Sequence, residues 1–183
     1  INNNTLAIAD GSGLASNYTL SGATINVTII PRTLNVSLSR EYDGTTSVSG
    51  ASLTPTFDSL QGGETLALSG TGSVSTANVG SSKAVSLGSI ALAAGSGNPS
   101  NYSLNSATMN ITQRVINLDG IRAYDATTNV LSSDINTFGN IVSGETLTIS
   151  GTGSVGSNSV AMNKAVTIGS LSLGNGSGLA SNY

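Results

Sequence analysis

The chain has 183 residues, of which 8% are charged, and a formal net charge of −3. It contains no Cys, His or Trp, which excludes disulfides, thiolate metal sites and catalytic groups built on His or Cys. Its six Lys and Arg residues form no basic patch, which argues against nucleic-acid binding. No apolar run approaches the ~18–20 residues of a membrane-spanning helix. Because the chain opens with Ile1 and carries no signal segment, we expect it to be an internal part of a longer polypeptide.

Apolar residues alternate with polar ones along much of the chain, a pattern that predicts half-buried antiparallel strands. The alternating stretches lie at 6–8, 23–29, 34–38, 66–68, 85–87, 90–92, 107–111, 147–149, 166–168 and 171–173. Gly-rich turns separate them, and 38% hydrophobic content with this regular pattern argues against disorder. The sequence therefore predicts an all-β fold of tandem, small, antiparallel β-sandwich-like domains that form a rod. A β-grasp-like arrangement fits equally, and a β-solenoid fits less well.

Short sequence blocks recur in fixed order, about 80 residues apart. YDGTT at 42–46 returns as YDATT at 124–128, and GETL at 63–66 returns at 144–147. Other recurring blocks are GTGSV at 70–74 and 151–155, KAV at 83–85 and 164–166, and GSGLASNY at 11–18 and 176–183, with GSGNPSNY at 95–102. Repetition at this length is typical of a modular array.

The repeat pattern divides the chain into three parts. Residues 1–31 correspond to the last two strands of a preceding repeat, residues 32–112 to a complete repeat, and residues 113–183 to a repeat that lacks its final strand. The junctions at 30–32 and 112–114 are short, and one contains proline, so little bending is expected there. An open sheet edge accepts another strand. Residues 18–29 of one copy are therefore candidates to complete the last repeat of another copy, head to tail. The alternative is that the missing strand lies in neighbouring residues of a longer protein.

These blocks resemble the YDG-type repeat of large bacterial exoproteins similar to filamentous-haemagglutinin adhesins. The resemblance rests on YDGT at 42–45, GETL at 63–66, Lys83-Ala84-Val85 and the Asn101-Tyr102 pair, and it extends over essentially the whole chain. It implies an all-β, extracellular module of a stalk or adhesive fibre at the bacterial surface. The second repeat departs from the pattern at Ala126, which replaces the motif glycine, and at residues 159–163.

The repeated polar residues allow some chemistry, but each has a structural explanation that we favour. A Ser–Lys dyad at Ser81, Ser82 and Lys83 is not kept in the second repeat. The matched pairs Asp43/Asp125, Glu64/Glu145 and Lys83/Lys164 are ingredients of an intramolecular isopeptide link, which needs a buried, neutral lysine. We predict instead that Asp43 anchors a turn through its side chain, while Arg40 or Lys83 forms a partly exposed ion pair.

Calcium binding, sugar binding and glycosylation are the remaining possibilities. Calcium binding through Asp10, Asp43 and Asp119 lacks the clustered carboxylates that the ion prefers, so these residues are predicted to be turn residues. The tyrosines can stack on sugars, but a core position with the hydroxyl bonded to backbone is favoured; they are Tyr18, Tyr42, Tyr102, Tyr124 and Tyr183. Asn-x-Ser/Thr sequons are expected by chance in such a sequence; they include Asn17, Asn26, Asn35, Asn101 and Asn110.

The sequence thus predicts no catalytic, metal or cofactor residues and no enzyme activity. Two function classes remain: a structural stalk or fibre subunit that associates with itself, and a module that binds a glycan or a host or matrix surface. Burial of Tyr42 and Tyr124 favours the first class, and their exposure favours the second.

Overall fold

The computed structural model describes residues 7–183, which fall into two compact units divided between Pro31 and Arg32. Within the first unit, residues 7–31 contain a single 3-10 turn, Ala15–Asn17, and no strand. The strands expected around Ile8 and at 23–29 are therefore not formed, and Leu6 lies outside the described residues. A strand requires a partner backbone to satisfy its N–H and C=O groups, and residues 7–31 provide none for one another.

The first repeat, residues 32–112, contains eight strands. They are β1 (Arg32–Glu41), β2 (Ser47–Ser49), β3 (Thr56–Phe57), β4 (Leu66–Ser69), β5 (Thr71–Val74), β6 (Gly80–Ser86), β7 (Ala91–Ala94) and β8 (Tyr102–Thr112). Six of them form one sheet in the order β2-β5-β6-β8-β1-β3, and β4 and β7 form a second, two-stranded sheet. Three-residue 3-10 turns at Gly50–Ser52 and Pro99–Asn101 complete the repeat.

Strand β8 is the centre of the large sheet. It pairs in parallel with β1 along its whole length and antiparallel with β6. The parallel pair differs from the antiparallel pairing that the alternation predicted, because alternation reveals which face of a strand is buried but not the direction of its partner. The all-β prediction is confirmed, with sheets of mixed direction.

The core of the first repeat lies between its two sheets. Inward-facing residues of β1 and β8 pack with residues of β2, β4, β5 and β6; they are Val36, Leu38, Val48, Leu68, Val74, Val85, Ala107, Met109 and Ile111. A smaller cluster of Leu34, Leu66 and Tyr102 adjoins the same sheets. Most of these positions belong to the alternating stretches of the sequence, as expected for half-buried strands, whereas Val48, Val74 and Tyr102 lie outside them.

The second repeat, residues 113–183, contains counterparts of the first seven strands. They are β9 (Asn117–Gly120), β10 (Asn129–Leu131), β11 (Ile135–Gly139), β12 (Leu147–Ser150), β13 (Thr152–Val155), β14 (Val166–Thr167) and β15 (Ser172–Asn175). Its 3-10 turns are Ser132–Asp134 and Ala180–Asn182. The strand orders are β10-β13-β14, β11-β9 and β12-β15. This is the arrangement of the first repeat with the central strand left out, so the large sheet is divided into a three-stranded and a two-stranded part.

Helices contribute little to this fold. Within residues 7–183 the only helical elements are three-residue 3-10 turns, and none of the described helices is long and apolar enough to cross a membrane.

Candidate functional site: the junction between repeats and an open groove

The YDG block of the first repeat contacts the second repeat. The hydroxyl of Tyr42 donates to Oε1 of Glu145 at 2.5 Å, and the hydroxyl of Tyr183 donates to Oε2 of the same carboxylate at 2.6 Å. The two tyrosine rings meet edge to face, with centroids 5.5 Å apart and an interplanar angle of 79°, a favoured aromatic geometry. One glutamate therefore joins a tyrosine of its own repeat to a tyrosine of the preceding repeat.

Burial at this contact raises the pKa values of both tyrosine hydroxyls. Desolvation, followed by the hydrogen bond to Glu145, raises the pKa of Tyr42 from its usual 10.0 to about 12. The same two causes raise the pKa of Tyr183. Both hydroxyls therefore remain protonated, and remain donors to Glu145, throughout the physiological range.

The motif glycine lies against the second repeat. Gly44 has a φ of +75°, a left-handed conformation that suits glycine, and a Cβ at this position would lie 2.8 Å from Cγ1 of Val142. Its counterpart Ala126 has a φ of +66°. Two constraints thus act on Gly44, one from the turn and one from the neighbouring repeat.

Asn182 is the most deeply inserted residue of the junction and is only 1% exposed. Its Oδ1 accepts a 3.0 Å hydrogen bond from the backbone N–H of Val79, and its Nδ2 donates to Oδ1 of Asn78 at 3.1 Å. Its own carbonyl accepts from the backbone N–H of Arg114 at 2.9 Å. The Asn of the SNY block therefore holds together the loop before β6 and the start of the second repeat.

Arg114 ties the connecting segment to both sides. Its Nε and Nη2 donate to the carbonyl and side chain of Asn140 at 2.6 and 2.7 Å, and its Nη1 donates to the carbonyl of Tyr42 at 3.2 Å. Nη1 also lies 3.6 Å from Oε1 of Glu41, in a partly exposed ion pair. These contacts cross the junction at several points, which restricts bending between the repeats.

In the first repeat, Glu64 accepts a hydrogen bond from the tyrosine of its own repeat, as Glu145 does in the second. No tyrosine of another repeat donates to Glu64 within residues 7–183. The hydroxyl of Tyr102 donates to Oε2 of Glu64, as Tyr183 does to Glu145. Oε1 of Glu64 has no hydrogen-bond partner in residues 7–183.

The two tyrosines that open the YDG-type blocks differ in exposure: Tyr124 is 65% exposed, whereas Tyr42 is 4% exposed. The burial of Tyr42 is thus supplied by the second repeat.

The second repeat also contains an open groove where the first repeat has β8. A cavity of about 490 Å³ opens between β9 and β14, lined in part by Leu118, Tyr124, Val130, Val155, Met162 and Val166. Leu118 is 37% exposed, against 3% for its counterpart Val36 in β1. Val166 is 40% exposed, against 8% for its counterpart Val85 in β6. These two strands therefore present apolar side chains and unpaired backbone edges to the same space.

The structure assigns the repeated aspartates to turns. Oδ1 of Asp43 accepts from the backbone N–H and the hydroxyl of Thr45, and its Oδ2 lies 3.1 Å from Nη1 of Arg40. Asp125 makes the equivalent bonds with Thr127 and Arg122. The contacts with Thr127 and Arg122 hold the pKa of Asp125 below its usual value. The turn predicted at Asp43 is confirmed, and of the two cations considered for a partly exposed ion pair, Arg40 forms it.

The other two calcium candidates are Asp10 and Asp119. Asp10 accepts a 2.6 Å hydrogen bond from the backbone N–H of Ala15, a role that Asn175 repeats with Ala180. Asp119 is an exposed residue of β9. Within residues 7–183, no group of three or more His, Cys, Asp or Glu side chains is arranged to hold a metal ion.

Within residues 7–183, neither lysine amine is hydrogen-bonded to Ser81 or Ser82, although Nζ of Lys164 donates to Oγ of Ser157 at 3.1 Å. Nζ of Lys83 donates to Oγ1 of Thr76 at 2.8 Å rather than to Ser81 or Ser82, and the lysine is half-buried. Nζ of Lys164 donates to the backbone carbonyls of Ser157 and Ser159, both at 2.5 Å. Neither amine is hydrogen-bonded to a carboxylate or an amide side chain in the part of the chain that the structure describes.

Two of the sequons are engaged in side-chain hydrogen bonds. Nδ2 of Asn35, the atom that a glycan would modify, donates to Oδ2 of Asp58 at 2.8 Å. Oδ1 of Asn110 accepts from the backbone N–H of Ser82 at 2.7 Å. Asn17 and Asn101 are exposed.

The sequence pattern does not identify Asn182, Val142 or Glu145 as junction residues. The available signal was repetition itself, because the SNY and GETL blocks recur as faithfully as YDG does. Repetition marks a constrained position without telling which repeat supplies its partner.

Comparison with known proteins agrees with these repeats. Residues 26–109 and 111–183 each match the YDG domain, and together the two matches cover most of the chain. No curated protein and no solved structure matches the chain. On the strength of the two domain matches, the chain belongs to the YDG domain family.

Proposed function

We propose that the chain is a non-catalytic structural repeat module of a bacterial extracellular stalk or adhesive fibre. The observation that carries the proposal is the pair of hydrogen bonds from Tyr42 and Tyr183 to Glu145. These residues belong to the recurring blocks, and they are used to join one repeat to the next. The bacterial surface setting is supported by the resemblance of the chain to filamentous-haemagglutinin-like exoproteins.

Several features of the junction suit a module that transmits tension. Asn182 is buried in the preceding repeat, Arg114 contacts both repeats, and Gly44 packs against Val142. Because these contacts lie at separate points, a bend at the connecting segment would break some of them, and each buried hydrogen bond left unpaired costs about 1–3 kcal/mol.

A measurement of flexibility tests this proposal. Small-angle X-ray scattering of the monomeric full chain should indicate a more flexible particle for Tyr42→Ala than for wild type. The matched variant Tyr124→Ala should scatter as wild type does. Scattering that is the same for wild type and Tyr42→Ala would show that this contact does not stiffen the array. Antibodies against the chain should also label intact source cells, and labelling that requires permeabilisation would contradict an extracellular location.

A second candidate function is a glycan- or surface-binding adhesin module. It is favoured by the exposure of Tyr124, whose ring lines the open groove and is free to stack on a sugar. Glycan-array binding by the full chain that is lost in Tyr124→Ala and kept in Tyr42→Phe would support this function. Absence of binding to any glycan or matrix protein tested would favour the structural module.

A further inference from the structure

The chain enters and leaves the first repeat through two strands that lie side by side. It enters at Arg32, the first residue of β1, and leaves at Thr112, the last residue of β8. The two strands pair in parallel, with Arg32 opposite Tyr102 at one end and Glu41 opposite Thr112 at the other. The points of entry and exit therefore lie at opposite ends of one strand pair, about 30 Å apart for strands of this length.

This connectivity decides how the repeat responds to tension along the chain. A pull on both sides of the repeat moves Arg32 and Thr112 away from each other, along the strands, and slides β1 against β8. The hydrogen bonds of a parallel pair are evenly spaced, so they share such a load and have to break together. Strands pulled apart from one end would instead separate one residue pair at a time. Tension therefore acts on the two longest strands of the repeat in shear.

The surroundings of the β1–β8 pair also oppose sliding. Both strands lie inside the large sheet, because β6 covers the other edge of β8 and β3 pairs with the other edge of β1. On the inner face, Leu38 and Met109 are 1% and 0% exposed, which keeps water away from the hydrogen bonds between the strands. On the outer face, Oδ1 of Asn35 accepts from Nδ2 of Asn105 at 2.9 Å and from the hydroxyl of Ser106 at 2.8 Å. Side-chain and backbone hydrogen bonds thus join the same two strands.

We propose that the β1–β8 pair is a mechanical clamp that keeps the first repeat folded under tension along the chain. As a biological role the clamp rests on the proposed stalk function, whereas the resistance itself is a property of the fold. Residues 42–101 connect the two strands in sequence and lie outside the path of the force while the pair holds. When the pair breaks, the repeat extends in a single step of at most about 250 Å, the length of ~80 extended residues less the folded span.

Single-molecule force spectroscopy of the full chain tests the clamp, because the protein has no Cys and handles can be attached to introduced ones. Arg32→Cys with Thr112→Cys loads the strand pair in shear. Glu41→Cys with Thr112→Cys is the matched control, because these residues are opposite each other and a pull on them opens the same pair from one end. All three residues are exposed, so the substitutions should leave the core intact. Urea unfolding checks that the two double variants are equally stable.

The direction of the pull should change the unfolding force. At the same pulling rate, we expect a mean force at least about twofold higher in shear than from one end, because many hydrogen bonds break together in the first case and one after another in the second. The shear trace should show one extension step for the repeat. Equal forces in the two directions would overturn the clamp, and so would release of the repeat in several smaller steps under shear.

A pair of core variants separates the clamp from overall stability. Val36 on β1 is 3% exposed and Val48 on β2 is 0% exposed, and β5 and β6 lie between β2 and β8 in the sheet. Val36→Ala and Val48→Ala remove the same atoms from the core and should cause comparable losses of stability in urea. In the shear geometry, Val36→Ala should lower the unfolding force, whereas Val48→Ala should leave it close to that of the parent, because forced unfolding follows the unfolding rate. Equal falls in force would overturn the clamp.

These outcomes are distinct from failure of the stalk proposal. If the two pulling directions give equal forces but Tyr42→Ala still makes the chain more flexible in solution, the stalk proposal stands without a clamp. If the shear force is higher but Tyr42→Ala scatters as wild type does, the clamp stands as a property of the repeat and the stiff stalk is contradicted.

Discussion

The hydroxyl of Tyr42 and the carboxylate of Glu145 are 103 residues apart in sequence and 2.5 Å apart in space. Tyr42 opens the YDG block of the first repeat, and Glu145 belongs to the GETL block of the second. The two most recognisable blocks of the sequence therefore meet across the boundary between repeats. Their joint recurrence follows from this contact, because each repeat needs a tyrosine for the repeat after it and a glutamate for the repeat before it.

Removal of the Tyr42 hydroxyl should weaken the chain. We expect Tyr42→Phe to lower the free energy of unfolding by about 1.5–3 kcal/mol, because the hydrogen bond is made to a charged carboxylate and Glu145 loses one of its two donors. Urea denaturation of the full chain measures the change. Tyr124→Phe is the control and should have no effect, since Tyr124 is 65% exposed and its hydroxyl makes no hydrogen bond within residues 7–183. Equal effects of the two variants would show that the contact with Glu145 contributes nothing.

Stability should fall in alkaline solution. The pKa of Tyr42 is raised from 10.0 to about 12 in the folded chain, so between these values the folded state binds more protons than the unfolded state. The stability that Tyr42 contributes is fully present below about pH 10 and is lost as the pH rises through about 12. Tyr183 acts in the same direction. Urea unfolding between about pH 8 and 11.5 should show this decline, and Tyr42→Phe should make it shallower. An unchanged slope in Tyr42→Phe would contradict the assignment.

Gly44 should not tolerate a side chain. Gly44→Ala is expected to lower the free energy of unfolding by more than the ~1–2 kcal/mol of a left-handed alanine, because its Cβ would also approach Val142. Val142→Ala in the same chain should recover the steric part of the loss. The reciprocal change Ala126→Gly should be neutral or stabilise by up to about 1 kcal/mol, because Ala126 has a positive φ. Thermal or urea unfolding distinguishes these outcomes, and a Gly44→Ala chain as stable as wild type would refute both constraints.

Asn182 and Asn101 occupy the same place in the SNY blocks but have different surroundings. Asn182→Ala leaves the backbone N–H of Val79 without its acceptor in a buried site, so we expect a loss of about 1–3 kcal/mol. Asn101→Ala should change stability by less than about 0.5 kcal/mol, because Asn101 is exposed. Hydrogen exchange should locate the effect at Val79 and Gly80. A loss of equal size in both variants would assign the role of Asn to the SNY turn itself rather than to the junction.

The sequence by itself determined the strands within 34–38, 66–68, 85–87, 107–111 and 147–149 and the buried residues on them, whereas shorter strands such as β2, β5 and β10 lay outside its alternating stretches. Alternation identified Leu34, Val36 and Leu38 as inward-facing, and this information is local because side chains on a strand point to opposite faces in turn. It also determined the turn at Asp43, since an aspartate two residues before a threonine can bond its N–H and hydroxyl within the same segment.

Only the tertiary structure decided which strands pair and which repeated residues are buried. The parallel pairing of β1 with β8 depends on a return of the chain after about 70 residues, which no local pattern encodes. Tyr42 and Tyr124 occupy equivalent places in the sequence, yet one is buried and the other exposed, because the neighbouring repeat covers only the first. Burial at a junction is a property of two repeats together, and a sequence pattern within one repeat describes only its own half of the contact.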